Sequence, residues 1–553
     1  MKVISLIGNG LNQVSTITEG LLGQQSINEL KKKIGTLNDK LKSCEYIKVP
    51  FIGRFSAGKS SLLNMLMGRG DLLPIDTQPK TAIAYELYYD VRERVELYKN
   101  GKQIDEKDIK DINTLDTEPG EIAKVYIDCE YIKKLQDNNI ILVDMPGIGS
   151  GIERHDAAIA NYLHKGSVFV LFVNAIDGAL KDSTLVFTKE LINENQLPVV
   201  FLTKTDMVPN KETVKENVEY VEWQLKEYGV ENPIVSSVCA VNNDIESLNK
   251  FVNGLNADEI IGKQLSVYVK SIVEYAISNL QIRIDVRNAD IKNLNQKVAE
   301  LERQIHNLQV QEPFDEDCGD SPEKSTNDIL ANVKKALLDS SETIASLIVN
   351  GSGSEEEIKE IIVGTIRTEI KKSLKKEGKE YAEAISESAN EIVGQLLQVN
   401  LDYTSENSMD KSISEFVSKV EILVAYLPEQ FQDIARTILE ILPFLTSAIN
   451  AILDLFGFND EERIEKIKSA LINNAMPLIS AQLKPTILQM VSENQEAIRN
   501  QMTRTVIAEA EAYKQGLLDK ISDTGKSEKE IESEIEKLQN AIKQLHEIDF
   551  GIS

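Results

Sequence analysis

The chain has 553 residues, enough for about three or more domains and for sizeable cores. Its 88 acidic residues against 61 basic ones give a net charge of −27. Such a surface repels phosphate backbones, so it argues against nucleic acid as a partner and disfavours purely electrostatic attachment to an anionic membrane. Four scattered cysteines, Cys44, Cys129, Cys239 and Cys318, form no CxxC pair and no disulfide framework, which fits a reducing cytoplasm.

Near the N-terminus, the apolar run from Val3 to Ile7 is too short for a signal-peptide core. No stretch of about 18 residues is both strongly apolar and free of charge, so no ordinary membrane span is expected. Residues 26–43 read as a helix. Ser26 and Glu29 make an S-x-x-E capping box, and Ile27, Leu30, Ile34, Leu37 and Leu41 follow at helical spacing. From Tyr46 the texture changes. The apolar runs Ile47–Ile52, Ile140–Val143, Val168–Val173 and Val199–Leu202 alternate with helical stretches to about residue 263. That is the pattern of a buried parallel sheet with crossover helices.

Almost everything beyond reads as helix. Ile277, Leu280, Ile284, Ile291, Leu294, Val298, Leu301, Ile305 and Leu308 keep one apolar seam, interrupted at Arg287. Residues 311–328 are acidic and read as a loop, and 350–354 (NGSGS) mark a second break in a region otherwise helical to 523. Ile531, Ile535, Leu538, Ile542 and Leu545 make a last seam. Narrow apolar seams need partner helices. The three flanking segments are expected to pack together as one bundle; otherwise each pairs with a separate neighbour or with another copy of the chain.

Three motifs carry chemistry. Residues 53–60, GRFSAGKS, fit G-x-x-x-x-G-K-[ST] between a strand-like run and a helical one. Gly53, Arg54, Phe55, Ser56, Ala57, Gly58 and Ser61 would wrap phosphates with backbone N–H groups, Lys59 would reach the β- and γ-phosphates, and the Ser60 hydroxyl would bind Mg²⁺. Residues 144–147, DMPG, follow the run IILV. Asp144 would hold Mg²⁺ and the Gly147 N–H would sense the γ-phosphate. Residues 203–206, TKTD, put Thr203 and Lys204 beside the base, with Asp206 accepting two hydrogen bonds from guanine that adenine cannot donate. Ser236 and Ser237 are assigned to the last base-contacting loop. Between the first two motifs, Thr77 and Thr81 qualify equally as the hydroxyl that closes on Mg²⁺ and orients the attacking water.

GRFSAGKSSLLN, LLP…PKTA, DMPGIGS…HD and TKTD together resemble the dynamin superfamily, in particular bacterial dynamin-like proteins, over residues 47–240. The resemblance implies an α/β P-loop GTPase domain with an extended all-α helical-bundle neck and trunk. GTP would be cleaved to GDP and phosphate with Mg²⁺, and GTPase domains would pair as a homodimer or with a sister protein. It selects Thr81 over Thr77 as the switch residue and a metal ligand, and places Ser56 near the β–γ bridging oxygen as a catalytic group. Ile148 stands where Ras-like enzymes carry a water-orienting Gln, so a site completed by pairing is implied. The layout divides the chain into an N-terminal neck helix (1–45), a GTPase domain (46–263), a long neck helix with acidic loop (264–328), a trunk (329–500) and returning helices (501–553). It also implies a membrane tip and a peripheral place on the inner face of the cell membrane. The candidate tip is 438–458, where Phe444, Leu445, Ile449, Ile452, Leu453 and Phe456 share one helical face. A face of that kind equally packs into a protein core.

Overall fold

The computed structural model describes residues 1–54, 56–70, 72–73, 83–99, 101–115, 117, 121–147, 162, 166–193, 196, 198–288, 293–310, 314, 319–349, 355–398, 465–466, 468–469, 473 and 476–552. Phe55, Thr77, Thr81, Ile148 and all of 438–458 lie outside them.

The chain opens with two helices, α1 (Lys2–Thr18) and α2 (Gln24–Ser43), where the sequence suggests one. Val3, Ile7, Leu11 and Val14 recur at spacings of three and four and form the buried stripe of α1. The start of α2 also differs. Gly23 is its N-cap, and Ser26 is a fully buried residue inside the helix rather than a cap.

The α/β region follows: β1 (Ile47–Gly53), α3 (Lys59–Met67), β2 (Ala84–Tyr89), β3 (Arg94–Lys99), β4 (Lys102–Lys107), β5 (Glu121–Ile127), α4 (Glu130–Asp137) and β6 (Ile140–Asp144). Then come β7 (Val170–Asn174), α5 (Asp182–Asn193), β8 (Val199–Thr203), α6 (Lys211–Glu227), β9 (Ile234–Ser237) and α7 (Glu246–Asn253). They build a nine-stranded sheet in the order β4-β3-β5-β2-β6-β1-β7-β8-β9. From β6 to β9 the strands are parallel, and β6 and β8 are buried along their whole length because helices cover both faces. The expected all-parallel sheet is corrected by the other half. β2 runs antiparallel to β6, and β3 runs antiparallel to both β4 and β5. One of these pairs is a hairpin: Gly101, at φ +76°, turns β3 into β4, whose polar residues KQIDEK leave it an exposed edge.

The helical half consists of α8 (Ala257–Asn288), α9 (Leu294–Val310), α10 (Pro322–Val349), α11 (Glu355–Gln398), α12 (Met476–Ser522) and α13 (Glu528–Glu547). The division drawn at 263 falls inside α8. Helices α1, α2 and α13 lie against α8, and Val3, Ile7, Leu11, Leu265, Ile272, Leu280, Leu538 and Leu545 share one core with a face of the sheet. The seam through residue 308 is not continuous: α8 ends at Asn288, α9 starts at Leu294, and both pack on α12 around Leu301, Ile305, Met502 and Leu517. The acidic stretch is not all loop either. Ser321 Oγ accepts from Lys324 N at 3.3 Å and Pro322 occupies the first helical position, so α10 begins seven residues before 329. A second core holds α10, α11 and the first half of α12 together through Ile329, Val333, Ile361, Ile366, Leu483 and Ile487.

Arg287, the polar interruption in the seam, has a structural reason. Its guanidinium donates to Asp523 at 3.1 and 3.3 Å and to Glu534, while Arg283 one turn earlier donates to Asp519 at 2.7 Å. These bonds fasten α8 to the end of α12 and the start of α13. Removing Arg287 takes two hydrogen bonds from the buried Asp523 and leaves it the Lys526 ammonium at 3.1 Å, which also pairs with Glu534. Arg287→Ala is therefore expected to cost on the order of 1–3 kcal/mol, read as a lower denaturation midpoint; an unchanged midpoint would mean the pair does not brace the bundle.

Candidate nucleotide-binding site

Strand β1 delivers the phosphate loop at its carboxyl end. A Cβ on Gly53 would lie 2.4 Å from the Phe172 carbonyl oxygen on β7, so only glycine fits where the two strands meet. Ala57 N donates to Arg54 O at 3.0 Å and closes the loop, Gly58 turns at φ +85°, and α3 begins at Lys59. Ser56 stands at φ +61°, a left-handed conformation that non-glycine residues adopt at a cost and that clusters at functional sites. Ser60 and Ser61 occupy the first turn of α3.

The Lys59 ammonium is buried and donates to the carbonyls of Gly53 at 3.0 Å and Arg54 at 3.3 Å. Asp144 ends β6 and is wholly buried. Ser60 Oγ donates to its Oδ2 at 2.7 Å, and Oδ1 has no hydrogen-bond partner among the described residues. Burial pushes the Asp144 carboxyl up to about 6, against the opposing pull of Lys59 and Ser60. Burial likewise pushes the Lys59 ammonium down to about 8, against the attraction of Asp144. Each charge is thus held in a low-dielectric place without full compensation. Polyphosphate would satisfy the cation, and a hard divalent cation would satisfy the carboxylate oxygen. The donor set fits Mg²⁺: one carboxylate and one hydroxyl, with nucleotide oxygens and water to complete an octahedron. Among the described residues no cluster of three or more acidic, His or Cys groups offers an all-protein cage. Met145 N donates to Phe51 O at 3.3 Å, which holds the DMPG turn beside β1 and leaves Gly147 buried at its end.

The base end is tied to the phosphate end by one hydroxyl. Thr203, last in β8, donates from Oγ1 to the Ala57 carbonyl at 2.8 Å, linking TKTD to the P-loop. Lys204 at φ +56° turns the chain sharply, and the short helical turn Thr205–Met207 presents Asp206 to solvent. Cys239 supports that carboxylate, its thiol donating to Asp206 Oδ1 at 3.1 Å. The thiol is fixed because Cys239 is buried and exchanges backbone hydrogen bonds with Asp244 at 2.8 and 2.9 Å. Ser236 and Ser237 lie inside β9, and the Ser237 carbonyl accepts from Ser247 Oγ at 2.9 Å. Sequence reasoning missed Cys239. The signal was the length of β9: Ser237 pairs with Leu202, so the loop facing Asp206 starts at Val238.

The description "Dynamin family" belongs to the family model that matches residues 49–206. Dynamin-like protein 1 of Campylobacter jejuni is 22% identical over 302 residues, 47% of this chain and 41% of that protein. GTPase Der of Thermosipho africanus is 25% identical over 189 residues, 32% of this chain and 41% of that protein. This chain therefore spans 41% of the length of each of these two relatives. A solved structure of an oligomerised bacterial dynamin pair, described as a mechanism for long-range sensing and tethering of membranes, aligns over 93% of this chain and 92% of its own, at TM-score 0.32 and 16% identity. Aquifex aeolicus Era bound to GDP and aluminium fluoride aligns over 41% of this chain and 67% of its own, at TM-score 0.24 and 14% identity.

Two substitutions test the two ends of the site. Lys59→Ala is expected to abolish binding of a fluorescent GTP analogue, and near-normal affinity would overturn the phosphate assignment. Asp206→Asn is expected to weaken GTP by at least about a hundredfold and to favour xanthosine nucleotides; an unchanged preference for GTP would mean that Asp206 does not read the base.

Proposed function

We propose, on the premise that residues 49–206 are a GTPase domain of the dynamin family, that this chain hydrolyses GTP to GDP and phosphate and couples nucleotide state to its helical half, to self-association and to a membrane. The observation that carries the reading is the group formed by buried Lys59, buried Asp144 and half-buried Ser60 at the strand ends, tied through the Thr203–Ala57 hydrogen bond to the exposed carboxylate of Asp206. Lys59 and the loop N–H groups hold the β- and γ-phosphates. Ser60, Asp144 and Thr81 would hold Mg²⁺, whose charge would offset that developing on the phosphates. Ser56 lies by the leaving oxygen, Gly147 senses the γ-phosphate, and Thr81 orients the attacking water. Catalysis of this kind is positioning and charge stabilisation rather than covalent chemistry.

Ile148 offers no hydrogen bond to a water, so the group that completes the site comes from a second GTPase domain, of this chain or of a sister protein. Membrane contact falls to 438–458, whose apolar face would bind by buried area because the net charge of −27 offers no attraction. Two measurements test these steps. Specific GTPase activity is expected to rise at least several-fold with protein concentration as domains pair, and a flat profile would count against pairing. Wild-type protein is expected to float with liposomes even at high salt, where electrostatic contacts are screened. Leu445, Ile449 and Leu453 changed together to Asp should float no longer, while melting normally and binding GTP. A wild type that never floats, or a triple variant that unfolds, would leave a GTP-dependent switch acting on protein partners as the better reading.

A further inference from the structure

Helix α6 is ordinary on its inner side and not on its outer one. Asn210 caps it, accepting from Thr213 N at 2.9 Å, and Val221 and Leu225 are fully buried in the core that holds Val200 and Leu202 of β8. With about 3.6 residues per turn, the opposite side carries Tyr220 and Trp223. Trp223 is 51% exposed and Tyr220 47%, and their rings stack with centroids 5.4 Å apart and planes at 28°. Among the described residues no other aromatic side chain is so exposed. A lone apolar side chain on a surface needs no explanation, but two large rings laid together form a patch of the residue types that anchor protein contacts.

The surroundings say what the patch would accept. Glu212, Glu216, Glu219 and Glu227 are exposed on the same face of α6. Its cations lie at the flank: Lys215, 3.7 Å from Glu219 in an exposed pair, and Lys226. Glu216 stands one turn before Tyr220, Glu219 one turn before Trp223, and Glu227 one turn after it. Residues so spaced on a helix are about 5–6 Å apart at Cβ, so a flat cation can cover a ring and meet a carboxylate at once. The arginine guanidinium does both, because it stacks on aromatic faces and pairs with carboxylate through two parallel N–H groups; the lysine ammonium is a point charge. The same rim turns other partners away. Nucleic acid and anionic lipid meet a row of carboxylates. A convex ridge cannot enclose a small molecule. A second copy of the chain brings its own net charge of −27.

We infer that the outer face of α6 is a docking site for an arginine-bearing segment of a different, basic protein, with guanidinium groups stacked on Tyr220 and Trp223 and paired with Glu216, Glu219 and Glu227. The inference does not rest on the nucleotide-site reading.

Trp223 is the only tryptophan in the chain, so its fluorescence reports on this face alone. The full-length protein would be titrated with a synthetic peptide in which arginines alternate with Gly-Ser pairs, and with the same peptide carrying lysine or the uncharged arginine analogue citrulline. Trp223 emission is expected to change saturably with the arginine peptide and not at all with the citrulline one. The lysine peptide should bind at least about threefold more weakly. With a labelled arginine peptide read by anisotropy, Trp223→Ala and Glu219→Gln/Glu227→Gln are each expected to weaken binding at least about fivefold. Glu532→Gln/Glu536→Gln removes the same charge from exposed positions on α13 and should leave binding within about twofold. All the substituted side chains are exposed, and an unchanged thermal melt shows that each variant is folded. An unresponsive Trp223, equal affinities for the arginine and lysine peptides, or equal losses from the two carboxylate pairs would overturn the docking site. So would wild-type self-association in sedimentation that Trp223→Ala abolishes, since the occupant would then be a second copy.

Discussion

A buried ammonium and a buried carboxylate share one end of the sheet, and the α/β half of the chain is arranged to keep them there. Neither Lys59 nor Asp144 would stay in so dry a place for its own sake, since burial pulls both toward their neutral forms. They are held by what surrounds them. β1 and β6 pair in parallel and end together, so the loop after β1 and the carboxylate at the end of β6 arrive at the same point. Gly53 lets β1 approach β7 at the Phe172 carbonyl, and Thr203 hooks the end of β8 to Ala57. The cost of two poorly compensated charges is met by apolar burial on both faces of the sheet. A magnesium–phosphate ligand would remove that cost and so stabilise this arrangement, as an apolar one would not.

The same logic of charge runs into the helical half. Most of its packing is apolar, yet the junctions are ionic: Arg283 and Arg287 to Asp519, Asp523 and Glu534 at the bundle, and Arg367 and Lys371 to Glu190 on α5. Buried ion pairs contribute little net stability, because desolvation consumes most of the attraction. They do impose register, since a slip by one turn leaves carboxylates unpaired. Arg54 of the P-loop and Glu357 of α11, 303 residues apart along the chain, meet in the same way.

The sequence was most legible where one residue does its work through backbone geometry or a single charge. Gly53, Gly58, Lys59, Ser60, Asp144 and Asp206 stand at spacings that strand, loop and helix dictate, so the motifs could be read one residue at a time. Partners brought together by the fold were not legible in this way. Cys239 reads as a small apolar residue until the register of β9 places it against Asp206. Glu190 reads as an ordinary helix-surface glutamate until Arg367 and Lys371 arrive from 177 and 181 residues away. Helix α1 went unread because Gly8, Asn9 and Gly10 dilute its propensity; its stripe is meaningful only once α8 is there to receive it. The mixed half of the sheet was hidden because β4, KQIDEK, is polar and exposed, and because the alternation in β3, with Val95 and Leu97 buried, marks a strand without giving its direction. Arg287, a flaw in the seam when read as pattern, is the residue that fastens the bundle.

Calorimetric titration of the purified wild-type protein with Mg·GTP, Mg·ATP and GTP plus a chelator tests most directly whether each chain holds one guanine-nucleotide site that works with a divalent cation. One GTP per chain is expected, bound at least about a hundredfold more tightly than ATP, with affinity falling when the cation is removed. Heat signals equal for GTP and ATP, or no binding of GTP at all, would contradict it.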